Sequence, residues 1–255
     1  MIRPLYLDAA TRWSVGLDDG PALKVSAPGR ARSLYPLSRV ARVLSPAHAD
    51  WTTPALLACL QAGVPIVFHD ARGEPLGWCF GPRRRETSLG NLLRLAVDHP
   101  EGGVLLQQWQ RACERREILE ALAEALALTY RPDAASARAR LCNVHRVRLG
   151  QPAGSYVRAL QRSATAMVSE HLYKALGDPS LIGFSIEGVH LGEVLASLME
   201  WQLHRVLLRV RPQSLMNVCV ARFAAAEMER SGAELHSACG RLLGDLERFL
   251  RERLL

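Results

Sequence analysis

The sequence predicts an α+β protein: a small N-terminal β-domain with one helix, followed by a larger all-helical domain. Three observations predict it. Residues 1 to about 82 hold short runs of strand character, LYLDA, RWSVGLD, LKVSA, ARSLY, VARVL, VPIVF and PLGWCF, punctuated by Gly and Pro. From Ser88 to Leu255 the apolar spacing becomes helical. Between them lies a basic segment, Pro82-Arg83-Arg84-Arg85-Glu86. These set the expected domains: 1–82 as the β-domain, 83–87 as a basic linker, and 88–255 as the helical domain.

The stretch from Tyr35 to Gly81 is the most specific. Val40 to Leu44 is apolar and β-branched, a strand. Asp50 or Thr52 offers an N-cap for a helix whose apolar face is Leu56, Leu57 and Leu60. Gly63 ends that helix and VPIVF follows as a buried strand. Asp70 to Glu74 forms a tight turn, with Gly73 supplying a positive φ, and leads into PLGWCF. After the linker, Thr87 or Ser88 caps the first helix of the second domain. Long amphipathic runs cover Val104–Tyr130, Ala134–Leu149, Ser155–Leu176 and Val189–Val210, each closed by Gly or Pro. A last run from about Leu215 to Leu255 is one helix, or two broken near Ser231-Gly232. Such lengths need burial on more than one side, as in a bundle.

Composition narrows the class. With 49% hydrophobic and 22% charged residues, the 255-residue chain is that of an ordinary globular protein. No apolar run reaches the roughly 20 residues that span a bilayer, and no secretory leader is visible, so a cytoplasmic location is expected. The six cysteines form no CxxC pair and no zinc spacing, and read as reduced, buried thiols; Cys59 and Cys219 sit among apolar neighbours. The formal net charge is +7, and only Lys24 and Lys174 among the 32 basic residues are lysines. Arginine suits bidentate phosphate contact, although a GC-rich genome produces the same bias. Ala134 to Ser169 contains no acidic residue but includes Arg138, Arg140, Arg146, Arg148, Arg158 and Arg162. On a helix, Arg138, His145 and Arg148 fall in one stripe. That stripe is either a phosphate-binding face or a face whose acidic partners come from elsewhere in the fold.

The Tyr35–Gly81 stretch resembles the N-terminal β-domain of the CRISPR-associated spacer-acquisition integrase family. The matching residues are Pro36, Leu37, Ser38 and Arg39, then Gly63, Val64, Val67, Phe68, Asp70, Gly73 and Gly77. Residues 140–149 resemble the family's central helix, with Arg140 in place of Lys and Val144 in place of Gln. The resemblance implies a metal-dependent DNA endonuclease and integrase serving antiviral defence. It also implies a homodimer formed through the β-domain, DNA as partner, and other CRISPR adaptation proteins nearby. Leu5, Leu7, Trp13, Val15 and Leu17 are the apolar candidates for an exposed dimer face.

The family's site holds Mg or Mn with a Glu, a His and a further acid. The segment 177–186 resembles the one that carries the His, and the matching position is Ile186. The following helix, Leu195 to Gln202, resembles the acidic one, with Ser197 in place of Asp and Glu200 retained. The Glu-bearing segment has no counterpart, because Leu149 to Pro152 passes almost directly between two helices. Glu200 is therefore the only catalytic or metal candidate, and Arg83, Arg84, Arg85, Arg138, Arg140, Arg146 and Arg148 are the nucleic-acid-binding candidates.

Three readings follow. The chain is a catalytically degenerate integrase-like subunit that binds DNA or pairs with an active copy. Alternatively it is an active nuclease with a rearranged site, in which Glu200 is joined by Glu120 or Glu124 and by His190; Glu117, Glu120 and Glu124 otherwise read as a charged helix face, and His190 as a loop residue in a polar network. The third is a structural partner of a CRISPR complex whose arginines pair with carboxylates.

Overall fold

The structure, a computed structural model, describes residues 3–81, 87–126, 133–150, 153–177, 181, 183–211 and 219–255. The α+β order expected from the sequence is the one found: strands first, then helices. By contacts the chain divides into two compact units, Met1–Arg85 and Glu86–Leu255. Arg83, Arg84 and Arg85 lie outside the described residues.

The first unit holds two four-stranded sheets. Strands β1 (Arg3–Tyr6), β5 (Val40–Pro46), β7 (Ile66–His69) and β8 (Pro75–Cys79) form one, in that order, with β1, β5 and β7 mutually parallel and β8 antiparallel. Strands β2 (Ser14–Leu17), β3 (Ala22–Ser26), β4 (Ser33–Pro36) and β6 (Asp50–Trp51) form the other, in the order β4-β3-β2-β6. Seven of these strands coincide with the runs read from the sequence. The two-residue β6 does not, since a strand that short carries no alternation.

Helix α1 (Thr53–Ala62) begins on Thr52, whose hydroxyl accepts from the Ala55 N–H, and ends on Gly63 at φ 68°. The left-handed conformation there costs glycine little, having no Cβ. Gly73 likewise sits at φ 83°, in a turn where the Asp70 carboxylate accepts from the backbone N–H groups of Arg72 and Glu74, each at 2.8 Å. Those bonds hold the Asp70 carboxyl below its ordinary range, the one from Glu74 most of all. One core cluster gathers Leu5, Leu7, Val15, Leu23, Val43 and Ile66 from the strand region with Ala55 and Cys59 from α1. Trp51 ties the sheets together, donating its indole N–H to the buried Ser45 hydroxyl of β5 at 2.9 Å and meeting Phe68 of β7 edge-on.

Two expectations are corrected here. The buried face of α1 is Ala55 and Cys59, while Leu57 is 51% exposed. The proposed dimer strip also belongs largely to the unit's own interior: Leu5, Leu7 and Val15 are buried, Trp13 packs against the core, and only Leu17 is substantially exposed. A small domain needs those side chains for itself. Exposed apolar residues on strands at the sheet edges are instead Leu34 and Tyr35 on β4 and Leu76 and Trp78 on β8.

The second unit contains α2 (Ser88–Asp98), α3 (Gly102–Leu126), α4 (Ala134–Leu149), α5 (Ala153–Leu176), α6 (Leu191–Arg209), α7 (Val220–Arg230) and α8 (Gly232–Leu254). The break at Ser231 makes the last run two helices. Among the described residues no helix is long and apolar enough to cross a membrane. Helix α6 packs against α3, α4, α5 and α8 and buries residues all round its axis, from Leu191 to Leu207, as a central helix must. Its start is two residues later than the sequence suggests, because Ser185–Ile186 (β9) and Val189–His190 (β10) form a small hairpin turned by Glu187 and Gly188, both at positive φ. The thiols are free, and Cys59, Cys113 and Cys239 are buried as expected, whereas Cys219 and Cys142 are exposed. Burial alone pushes the Cys59 thiol up to about 12.

Helix α2 comes very close to the end of α5. A Cβ on Gly90 would stand 2.8 Å from the Leu176 carbonyl oxygen, which already accepts from the Thr87 hydroxyl at 3.1 Å. Gly90→Ala must push backbone from backbone, and we expect a loss of roughly 1–3 kcal/mol, read as a lower urea midpoint at unchanged slope.

Candidate functional site

Of the residues named by the sequence, Arg138, His145 and Arg148 of α4 meet α6, where Glu200 lies. Positions 138, 141, 145 and 148 of α4 do form one stripe, and it meets α6, with Leu141 and His145 buried and Arg148 at its exposed end. Arg138 donates through Nε to Glu200 Oε2 at 3.1 Å and through Nη2 to Ser197 Oγ at 3.1 Å and Glu114 Oε1 at 3.3 Å. His145 is fully buried, and its Nε2 is 3.0 Å from His204 Nδ1 with the two rings stacked. Arg148 donates to the carbonyl of Leu208 at the end of α6. Helical periodicity identifies a face correctly, yet cannot say whether acidic partners await it from a distant segment. Arg140 and Arg146 fall on the exposed side of α4, and Arg158 is exposed on α5.

Glu200 is mostly buried, and its oxygens are engaged. Besides Arg138, Gln161 of α5 donates Nε2–H to Oε1 at 2.9 Å, and His204 Nε2 approaches the same oxygen at 3.7 Å, beyond hydrogen-bond length. Burial pushes the Glu200 carboxyl up, but neighbouring His204 and the Arg138 charge together outweigh it and hold the group below its ordinary range. The Arg138 guanidinium also lies over the Trp201 ring, 4.8 Å from its centroid. Trp201 is itself fully buried, in a cluster with Ile118, Ala121, Leu122, Ala137 and Leu141 from α3 and α4.

Whether a divalent cation fits here depends on the donors present. Ile186, at the position the resemblance gives to a His, is 8% exposed and part of the main core. Glu120 is paired with Arg205 at 3.0 Å, and Glu117 accepts from Gln202, so both serve the α3–α6 contact. The Glu124 side chain lies outside the described residues. His190 lines a cleft of about 550 Å³ together with Gln107, Arg111, Glu114, Glu193 and Ser197. Among the described residues no three His, Cys, Asp or Glu side chains come together as a metal-holding group. The residues do not fit the cation, for the carboxylate that would bind it already faces a guanidinium. Sequence reasoning missed Glu114, Gln161 and His204; only His204 left a signal, its i,i+4 spacing from Glu200.

The β9–β10 hairpin that carries Ile186 is docked on α3. A Cβ on Gly103 would stand 2.2 Å from Glu187 Oε2, so the carboxylate rests directly on the first turn of that helix. Negative charge is favourable at a helix N-terminus.

Residues 16–113 match the family described as CRISPR associated protein Cas1. Among solved structures, a Cas1 protein from Thermotoga maritima superposes with a TM-score of 0.71, covering 97% of this chain and 96% of that one at 14% identity. The fold is that of Cas1. TtCas1 in a complex with DNA is similar at a TM-score of 0.63 and 13% identity, covering 97% of this chain and 91% of that one. A casposase bound to an integration product is similar at 0.56 and 10%, covering 96% and 91%. No curated protein sequence matches. The resemblance read from Tyr35–Gly81 therefore holds, in sequence across the first third of the chain and in Cas1 architecture across nearly all of it.

His145 supplies a pH dependence in this Cas1-like chain. Burial, then repulsion from His204 and Arg148, pushes its pKa down to about 4. The unfolded chain, with an ordinary His near 6.5, takes up a proton that the folded chain refuses, so this contribution is intact above about pH 6.5 and is lost as pH falls toward 4. In urea titrations the protein should lose up to about 1.4 kcal/mol per pH unit in that window relative to His145→Gln.

Proposed function

We propose that the chain is a Cas1-like, DNA-binding subunit of CRISPR adaptation, acting in the cytoplasm, that does not cleave DNA. One observation carries the loss of activity: the Glu200 carboxylate is bound by Arg138 and Gln161, with Ile186 at the position of the His. A carboxylate so engaged has no oxygen open to a metal, and without the metal nothing stabilises charge on a phosphate. DNA binding is supported by the net charge of +7, by exposed Arg140, Arg146 and Arg158, and by the likeness to TtCas1, which was solved with DNA. Arg83, Arg84 and Arg85 add three basic residues in the segment between the units.

The test is a branched DNA duplex titrated at several salt concentrations, followed by incubation with Mn²⁺. We expect binding that weakens steeply with salt, and no cleavage. Replacing Arg140 and Arg146 together with Ala should lower affinity about tenfold and flatten the salt slope by about two. Mn²⁺-dependent cleavage that Glu200→Ala abolishes would sink the proposal.

A second reading is favoured by the pairing of many arginines with carboxylates, as in Arg116–Asp245, Arg205–Glu120, Arg209–Glu234 and Arg251–Glu247. In it the chain is a structural partner of a CRISPR complex, and the DNA titration then shows no salt-dependent binding. Either reading includes a homodimer through the β-unit, using the exposed Leu76 and Trp78, alternate residues on one face of β8. Sedimentation at micromolar concentration should give a dimer for the wild type and a monomer for Trp78→Glu; a monomeric wild type defeats this pairing.

A further inference from the structure

We infer that Arg138 is a built-in counter-cation which takes the place of a divalent metal between α3, α4 and α6, and that its removal opens an oxygen-lined cation site. The inference rests on the reading of Glu200 as metal-free but not on DNA binding. Glu114 of α3 and Glu200 of α6 are both largely buried carboxylates, with side chains 24% and 19% exposed. The guanidinium lies between them and donates to both, and to the Ser197 hydroxyl. Buried like charges brought together this way repel unless a cation stands between them. The contacting oxygens, two carboxylates and a hydroxyl, are hard donors of the type that Mn²⁺ and Mg²⁺ take when no arginine competes. A guanidinium is suited to the post because it is charged at any working pH and has more donors than these acceptors use. The ring of Trp201 beneath it adds a face that favours a cation. The cleft lined by Glu114 and Ser197 gives a small ion a way in.

Thermal unfolding with EDTA or with Mn²⁺ tests this on the full chain. The wild-type melting temperature should be the same in both. Arg138→Met, which keeps the length of the stem without the charge, should melt on the order of 5 °C lower in EDTA. Mn²⁺ should then raise the variant by at least about 3 °C, with one bound ion counted by electron paramagnetic resonance. Adding Glu200→Gln should remove that Mn²⁺ response and raise the EDTA melting temperature above that of Arg138→Met alone, since one of the two opposed charges is gone. Should Arg138→Met fail to fold, refolding on addition of Glu200→Gln supports the inference, and failure of the double variant to fold overturns it. An Arg138→Met protein indifferent to Mn²⁺, or a wild type stabilised by Mn²⁺ through Glu200, also overturns it. Neither result bears on DNA binding, and the cleavage assay above judges activity separately.

Discussion

The interior negative charge of Glu200 sets the terms for the helical unit. A carboxylate that is mostly out of water must be met by donors, and here they come from Arg138 on α4 and Gln161 on α5, with His204 close by one turn along α6 itself. The first two fix the distance between α6 and its neighbours α4 and α5. The Trp201 cluster fills the space beside them, and the His145–His204 pair continues the α4–α6 seam one turn further on. Breaking one partner therefore leaves others stranded, a property of polar networks that apolar cores do not share.

The arrangement also accounts for how a Cas1 architecture persists with so little sequence in common. The main core is largely aliphatic, running from Leu89 to Leu250, and such a core tolerates exchange of one apolar residue for another of similar volume. A metal site has no such latitude, since ligand type and position are both fixed. Ile186 illustrates the difference. The isoleucine side chain there joins the core and has no donor atom to offer a metal.

Much of the β-unit was legible because its turns are local. Thr52, Gly63 and Gly73 occupy the capping and turn positions read from the sequence, each satisfying a backbone group within a few residues, as Thr87 does at the start of the helical unit. The α4 stripe was legible as geometry but not as chemistry. Nothing near Arg138 in the chain reveals that Glu200, 62 residues away, is its partner. Leu57 misled for a related reason: apolar spacing along α1 is nearly continuous, so the smaller Ala55 and Cys59 could be chosen for the close contact. The β9–β10 hairpin has two residues per strand, too few for a pattern, and its positive φ at Glu187 falls on a residue type that seldom signals a turn.

The margins of the two sheets have a practical bearing. Strand β4 is exposed along its whole length, and β8 presents Leu76 and Trp78; each lies at the end of its sheet, paired with a strand on one side among the described residues. Pro36 and Pro75, at one end of each, shorten the run available for pairing but do not close it. Both margins belong to the first unit, so a fragment cut at the basic segment would carry them. Strand-on-strand association, with fibrils as its extreme, is the hazard such a fragment inherits.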